Sequence, residues 1–110
     1  MKTIISPQKL AQLTAHEQAL FVERNPISKA ISERANQHLM FGVPLHWMND
    51  WSTPFALQVA SANGNTLTDA DGHQLIDFCL GDTGAMFGHS PPAVAKLIQE
   101  QATLGYTAML

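Results

Sequence analysis

Five histidines and nine carboxylates in 110 residues raise metal chemistry first. Their spacing argues against it. A zinc-binding helix carries two histidines one turn apart, and His16-Glu17 has no second histidine one turn on. The remaining histidines lack ligand-type neighbours at short spacing, so no metal is expected. Asp69-Ala70-Asp71-Gly72 begins like a calcium loop, but the twelfth position, where a bidentate glutamate belongs, is Leu80. The four residues read as a tight turn instead. Gly81, Gly84 and Gly88 lie in a loop that is no phosphate loop, because Gly88 is followed by His89 rather than by Lys and a hydroxyl residue. Such a backbone path either approaches a ligand closely or only turns a corner, and the residues leave both open. Cys79 closes an apolar stretch with no base beside it, which reads as a buried thiol rather than a nucleophile. No spacing of Ser, His and Asp singles out a triad, since triads are assembled in space.

The elements that position these residues follow from periodicity and punctuation. Ser6-Pro7 is a cap and first-turn pair, after which Leu10, Leu13, Leu20 and Phe21 fall near one face until Asn25-Pro26 ends the pattern. Asn25 then caps a second helix opened by Pro26, with Ile27, Ala30, Ile31, Ala35, His38 and Leu39 as its apolar stripe. Residues 1–40 are thus a helical arm, and 41–110 a body. From Phe41 to Pro54 runs a loop with Trp47, Trp51, Met48 and Leu45, too apolar for open solvent. It is expected in a core or subunit interface first and in a ligand pocket second. Phe55 to Ala60, Thr66 to Thr68 and His73 to Cys79 form an antiparallel meander, turned at Asn63-Gly64 and Asp71-Gly72. Ser90-Pro91-Pro92 caps and opens a last helix, whose inner face is Val94, Leu97 and Ile98 and which Gly105 closes. The apolar end, Tyr106 to Leu110, reads as a connection to a further element.

Composition narrows the partners. A net charge of −3 with four Lys and two Arg leaves no basic stripe for nucleic acid. One cysteine permits no internal disulfide and the first residues hold no long apolar run, so the cytoplasm is the expected location. No stretch is long and apolar enough to span a bilayer. Only 14% of residues are charged, which predicts that much of the surface meets another chain or domain.

Thr68-Asp69-Ala70-Asp71-Gly72-His73-Gln74-Leu75-Ile76-Asp77-Phe78, followed eleven residues after Asp77 by Gly88-His89-Ser90-Pro91-Pro92-Ala93-Val94, is more specific. This joint pattern resembles the N-terminal region of the class III aminotransferases, pyridoxal-phosphate enzymes of fold type I, and most of all their glutamate-1-semialdehyde aminomutase-like branch. The resemblance covers about residues 35–110, with Gly64 in register. It implies an α/β enzyme of which this portion supplies two helices, a three-stranded antiparallel meander and one following helix. It implies transfer of an amino group between an amino donor and a carbonyl acceptor, normally by a homodimer. The cofactor is the electron sink of that chemistry.

In the family the Schiff-base lysine, the acid at the pyridine nitrogen and the phosphate donors all lie beyond the matched region. Lys2, Lys9, Lys29 and Lys96 match none of the family's lysine positions, so no catalytic, cofactor-binding or metal residue is assigned, and the chain alone is expected to be inactive. What the resemblance does imply is pocket lining from Val43 to Trp47 and from Gly81 to Ala85, with Val43, His46, Trp47, Asp82 and Thr83 as the candidates. The sequence departs from the aminomutase pattern twice. Asp82 stands where an aromatic residue is usual, and no arginine follows Arg34, where the family has one shortly after the Gly-Val. An arginine fork is the usual partner of a substrate carboxylate, so its loss argues against glutamate semialdehyde itself. Asp82 would favour a cationic or hydroxylated substrate group, or else cap a local turn. An ammonia-lyase or mutase on the same fold, and a non-catalytic interaction module, are the other two readings.

Overall fold

The computed structural model describes residues 5–106. The elements are three helices, α1 (Pro7–Arg24), α2 (Pro26–Ala35) and α3 (Pro92–Ala102), and a three-stranded sheet of β1 (Val59–Asn63), β2 (Thr66–Asp69) and β3 (Gln74–Ile76) in the order β1-β2-β3. Two 3-10 turns, Met40–Gly42 and His46–Asp50, lie between α2 and β1. The expected pair of helices, meander and closing helix are therefore all present. The residues group into two compact units. One runs to Gln58 and includes the Asp69–Gly72 turn, and the other is Val59–Thr68 with the residues from His73 onward.

In the first unit α1 starts as the sequence predicts, with the Ser6 hydroxyl accepting from the Lys9 amide and Pro7 in the first turn. The second helix corrects three expectations. Asn25 does not cap it, because its side-chain amide donates to the Phe21 carbonyl at 2.7 Å. The helix stops at Ala35, short of His38 and Leu39, where Asn36 folds back on the Ser32 carbonyl through backbone and side chain. Its buried residues are Ser28 and Ser32, one turn apart, while Ile27 is exposed. The hydroxyl face is the inner one because the Ser28 hydroxyl, fully buried, accepts from the Gln58 amide at 3.4 Å. Phe21 packs its ring 5.0 Å from that of Phe55.

In the second unit β2 and β3 pair antiparallel with Thr66 opposite Ile76, Leu67 opposite Leu75 and Thr68 opposite Gln74. Strand β1 starts at Val59 rather than Phe55, since the Gln58 backbone is already engaged by the Ser28 hydroxyl and the Ala70 amide. The first turn moves by one residue: Asn63 stays in β1, and Gly64 exchanges two backbone hydrogen bonds with His89. Strand β3 ends at Ile76, where Asp77 bends the chain. Helix α3 is capped by Pro91 and not by Ser90, whose hydroxyl donates to the Ala62 carbonyl. The predicted inner face of α3 is open, with Val94, Leu97 and Ile98 exposed, and in α1 Leu10 and Leu13 are exposed while Leu20 and Phe21 are half-buried. Of the apolar tail only Tyr106 falls within the described residues.

Candidate functional site

Two aspartates organise the segments that carry the candidate residues. In the first unit the chain turns through Asp69–Gly72, with the Gly72 amide donating to the Asp69 carbonyl at 3.1 Å and Gly72 in a left-handed conformation, φ 91°. The turn aims Asp71 at the start of α2. Its two carboxylate oxygens accept from the Ile27 amide at 2.7 Å and the Ser28 amide at 2.9 Å. The first amides of a helix have no partners within it, and a carboxylate there satisfies two of them while facing the positive end of the helix dipole. Asp71 does for α2 what Asn25 was expected to do.

Past α2 the chain turns sharply at Phe41 and Gly42, both left-handed, with Gly42 against the Asn36 side chain. Val43 follows and is buried, 7% exposed. It lines a cavity of about 480 Å³ together with Val22, Ser32, Phe41, Trp51 and Phe55. That volume is in the range of small-molecule pockets, about 300–1,000 Å³. His46 and Trp47 lie on the next 3-10 turn, exposed and outside the cavity lining. Trp47 meets Trp51 edge-on at 6.5 Å, and both remain largely exposed, contrary to the expectation for so apolar a loop.

In the second unit Asp77 is the organiser. Its Oδ1 accepts from the Cys79 and Leu80 amides, each at 2.9 Å, and its Oδ2 lies 2.7 Å from His89 Nε2. An ionised carboxylate only accepts, so Nε2 carries the proton. The hydrogen bond from His89 is the main reason the Asp77 carboxyl is held below the ordinary aspartate value, with the Leu80 and Cys79 amides adding to it against a smaller opposing effect of burial. Beyond Asp77 the backbone enters three successive left-handed residues, Leu80 (φ 51°), Gly81 (φ 61°) and Asp82 (φ 59°). For Leu80 and Asp82 this conformation costs roughly 1–2 kcal/mol each. The loop closes with the Ala85 amide on the Leu80 carbonyl and the Gly88 amide on the Ala85 carbonyl.

Asp82 and Thr83 are exposed on this loop. The turn's amides go to Asp77, whereas Asp82 takes a long contact of 3.5 Å from the Cys79 thiol. Cys79 is exposed rather than buried, because β3 ends before reaching it. Val43, His46 and Trp47 thus belong to one unit and Asp82 and Thr83 to the other. Asp71, Asp77 and His89 carried the family resemblance, but no role was read for them from sequence. No sequence signal marked Asp71 as the cap, because Asn25 is a sufficient local candidate and only the structure shows its side chain turned back to the Phe21 carbonyl.

Lys29 and Lys96 are exposed, each paired with a glutamate one helical turn on, and Lys29 with Glu33 also lines the cavity. Among the described residues no three His, Cys, Asp or Glu side chains gather to hold a metal, and no helix is long and apolar enough to cross a membrane.

No family model matches the chain. Individual proteins do. A glutamate-1-semialdehyde 2,1-aminomutase of Thermoplasma volcanium is 38% identical over 80 residues, which is 71% of this chain and 18% of that protein. The crystal structure of a glutamate-1-semialdehyde aminomutase from Pseudomonas aeruginosa PAO1 is 42% identical and superimposes with a TM-score of 0.83, covering 96% of this chain and 23% of that one. A β-phenylalanine aminotransferase from Variovorax paradoxus is 27% identical with a TM-score of 0.75, over 91% of this chain and 24% of its own. The chain therefore spans about a fifth of the length of the proteins it matches. By sequence and by fold the chain is thus similar to part of the class III aminotransferases of fold type I, on their glutamate-1-semialdehyde aminomutase-like branch.

Proposed function

We propose that these 110 residues are the N-terminal portion of a cytoplasmic, homodimeric pyridoxal-phosphate enzyme that moves an amino group from an amino donor to a carbonyl acceptor. The observation that carries this reading is the 42% identity to the Pseudomonas aminomutase across 96% of the chain, at a TM-score of 0.83. Residues 1–40 are the arm and 41–110 the start of the catalytic fold. The portion lines the substrate side, with Val43, His46 and Trp47 from one segment and Asp82 and Thr83 from the glycine loop. Pyridoxal phosphate, held mainly by residues outside these 110, supplies the electron sink. The pairing of Lys29 with Glu33 and of Lys96 with Glu100 supports leaving the Schiff-base lysine outside this portion.

The substrate differs from glutamate semialdehyde. No arginine follows Arg34, so the segment has no guanidinium for a substrate carboxylate, and Asp82 on an exposed loop suits an ammonium or hydroxyl group. The test is borohydride reduction of the protein as its gene encodes it, after loading with pyridoxal phosphate, with peptide mapping and an amine-donor panel. The expected result is one stoichiometric lysine adduct outside residues 1–110 and turnover of cationic or hydroxylated amines. An adduct mapped to Lys2, Lys9, Lys29 or Lys96, or no amino transfer at all, overturns the reading. Asp82→Phe should move the donor preference away from cationic amines. An unchanged profile removes Asp82 from the pocket.

A further inference from the structure

We propose that Asp77 and His89 are a positioning pair that latches the two ends of the glycine loop together and so fixes where Asp82 is presented to substrate. The proposal deepens the functional reading above and rests on it for the role of Asp82.

Three consecutive left-handed residues, two of them not glycine, form a conformation that persists only where surrounding contacts over-determine it. Within the loop the Gly84 amide bonds the Gly81 carbonyl and the Ala85 amide the Leu80 carbonyl, and the contacts that tie this turn to the rest of its unit are at the loop's ends. One oxygen of Asp77 holds the Cys79 and Leu80 amides, where the left-handed run begins. The other oxygen holds His89, the residue after the loop. His89 is itself fixed, since its amide and carbonyl both bond to Gly64, at 2.7 and 2.9 Å, and Gly88 passes so near Gly64 that a side chain there would stand 3.1 Å from its Cα. A single carboxylate therefore ties the start of the loop to a point anchored on the β1-β2 turn. Asp82 sits between, exposed, with the 3.5 Å thiol contact as its hydrogen bond. Its side chain adds little to hold the strained run, so where the closed turn presents it depends on the latch at the loop's ends.

The test compares the wild-type protein, as its gene encodes it and loaded with cofactor, with His89→Ala and His89→Gln. Two readouts are hydrogen exchange of the peptide spanning residues 78–84 and the kinetics of a cationic amine donor. Loss of one charge-assisted hydrogen bond should speed exchange at the Cys79 and Leu80 amides about tenfold in His89→Ala. KM should rise with kcat changed less. Peptides from β2, β3 and α2 should exchange as in the wild type. His89→Gln, whose side-chain amide reaches the same carboxylate oxygen, should restore both exchange and KM. Unchanged exchange in His89→Ala overturns the latch, and faster exchange with an unchanged KM overturns its positioning role. If no amine is turned over, the functional reading falls while exchange still decides the latch. Should His89→Ala fail to fold, Asp77→Asn, which keeps one accepting oxygen and loses the charge, carries the same comparison.

Discussion

Asp71 and Asp77 stand six positions apart, and each gives its carboxylate to a pair of adjacent backbone amides. Asp71 reaches 44 and 43 residues back along the chain, to Ile27 and Ser28. Asp77 reaches forward by two and three residues, and by twelve to His89. The same chemistry therefore does different work in the two regions. The long-range contact closes a large loop of chain and is part of what makes the first unit a unit. The short-range one shapes a segment that can open while the sheet beside it stays paired. Loss of Asp71 should appear as lost stability, and loss of the Asp77 latch as local exchange and altered substrate affinity.

Glycines in the two regions sharpen this contrast most strongly. Gly72, beside Asp71, and Gly88, beside His89, have nearly the same left-handed φ, 91° and 88°. An added methyl at Gly72 meets nothing within 4 Å, whereas at Gly88 it meets the Gly64 backbone at 3.1–3.3 Å. Gly72→Ala should thus cost only the backbone term, roughly 1–2 kcal/mol. Gly88→Ala should cost that and at least about 1 kcal/mol of overpacking, for roughly 3 kcal/mol in all. Chemical denaturation of the two variants measures the difference. Equal costs would mean that the Gly64 to His89 bridge yields easily, and the loop's anchor with it.

Next in size is the cap. Asp71→Ala should destabilise by about 1–2 kcal/mol, the usual cost of losing an N-cap. Asp71→Asn keeps one accepting oxygen and loses only part of that, including the roughly 0.3–1 kcal/mol of charge against the helix dipole. If the asparagine variant is as damaged as the alanine one, the charge and not the hydrogen bonds carries the contact.

The elements were legible in the sequence because their signals are local: Ser6-Pro7, Asn25-Pro26, Asp71-Gly72 and Pro91-Pro92 all fall at real element boundaries. What local pattern could not supply was direction. The stripe from Ile27 to Leu39 suggested an apolar inner face, yet the buried residues are Ser28 and Ser32, because the partner surface offers a backbone amide at Gln58 rather than a side-chain core. Apolar faces left open, such as Phe78 and Phe87 at 94% and 96% exposure, give no inward direction to read within this portion. The motif residues were legible as a family pattern and opaque in role. Asp71 and His89 act on partners 43 and 12 residues away, a relation that no spacing in the chain declares. Asp82, singled out by its departure from the family, does sit on the loop that the sequence placed it on.

The smallest predicted effect separates a latch from a pH switch. Asp77 is held below the ordinary aspartate value of about 3.9, chiefly by the bond from His89, so its ionised form is the one the folded loop favours. A carboxyl lowered in this way stabilises the loop fully above that ordinary value and loses its contribution as pH falls through the lower, folded one. The bond that lowers it runs from Nε2–H of His89 to the carboxylate. Exchange at Cys79 and Leu80, corrected for intrinsic rates, should therefore stay flat from about pH 8 to pH 5, where the carboxylate stays ionised. It should accelerate only below about pH 4. A change of protection well above that pH would mean that a group other than the Asp77 carboxylate sets the loop's opening. The loop would then differ from the Asp71 cap in being tuned by protons as well as local.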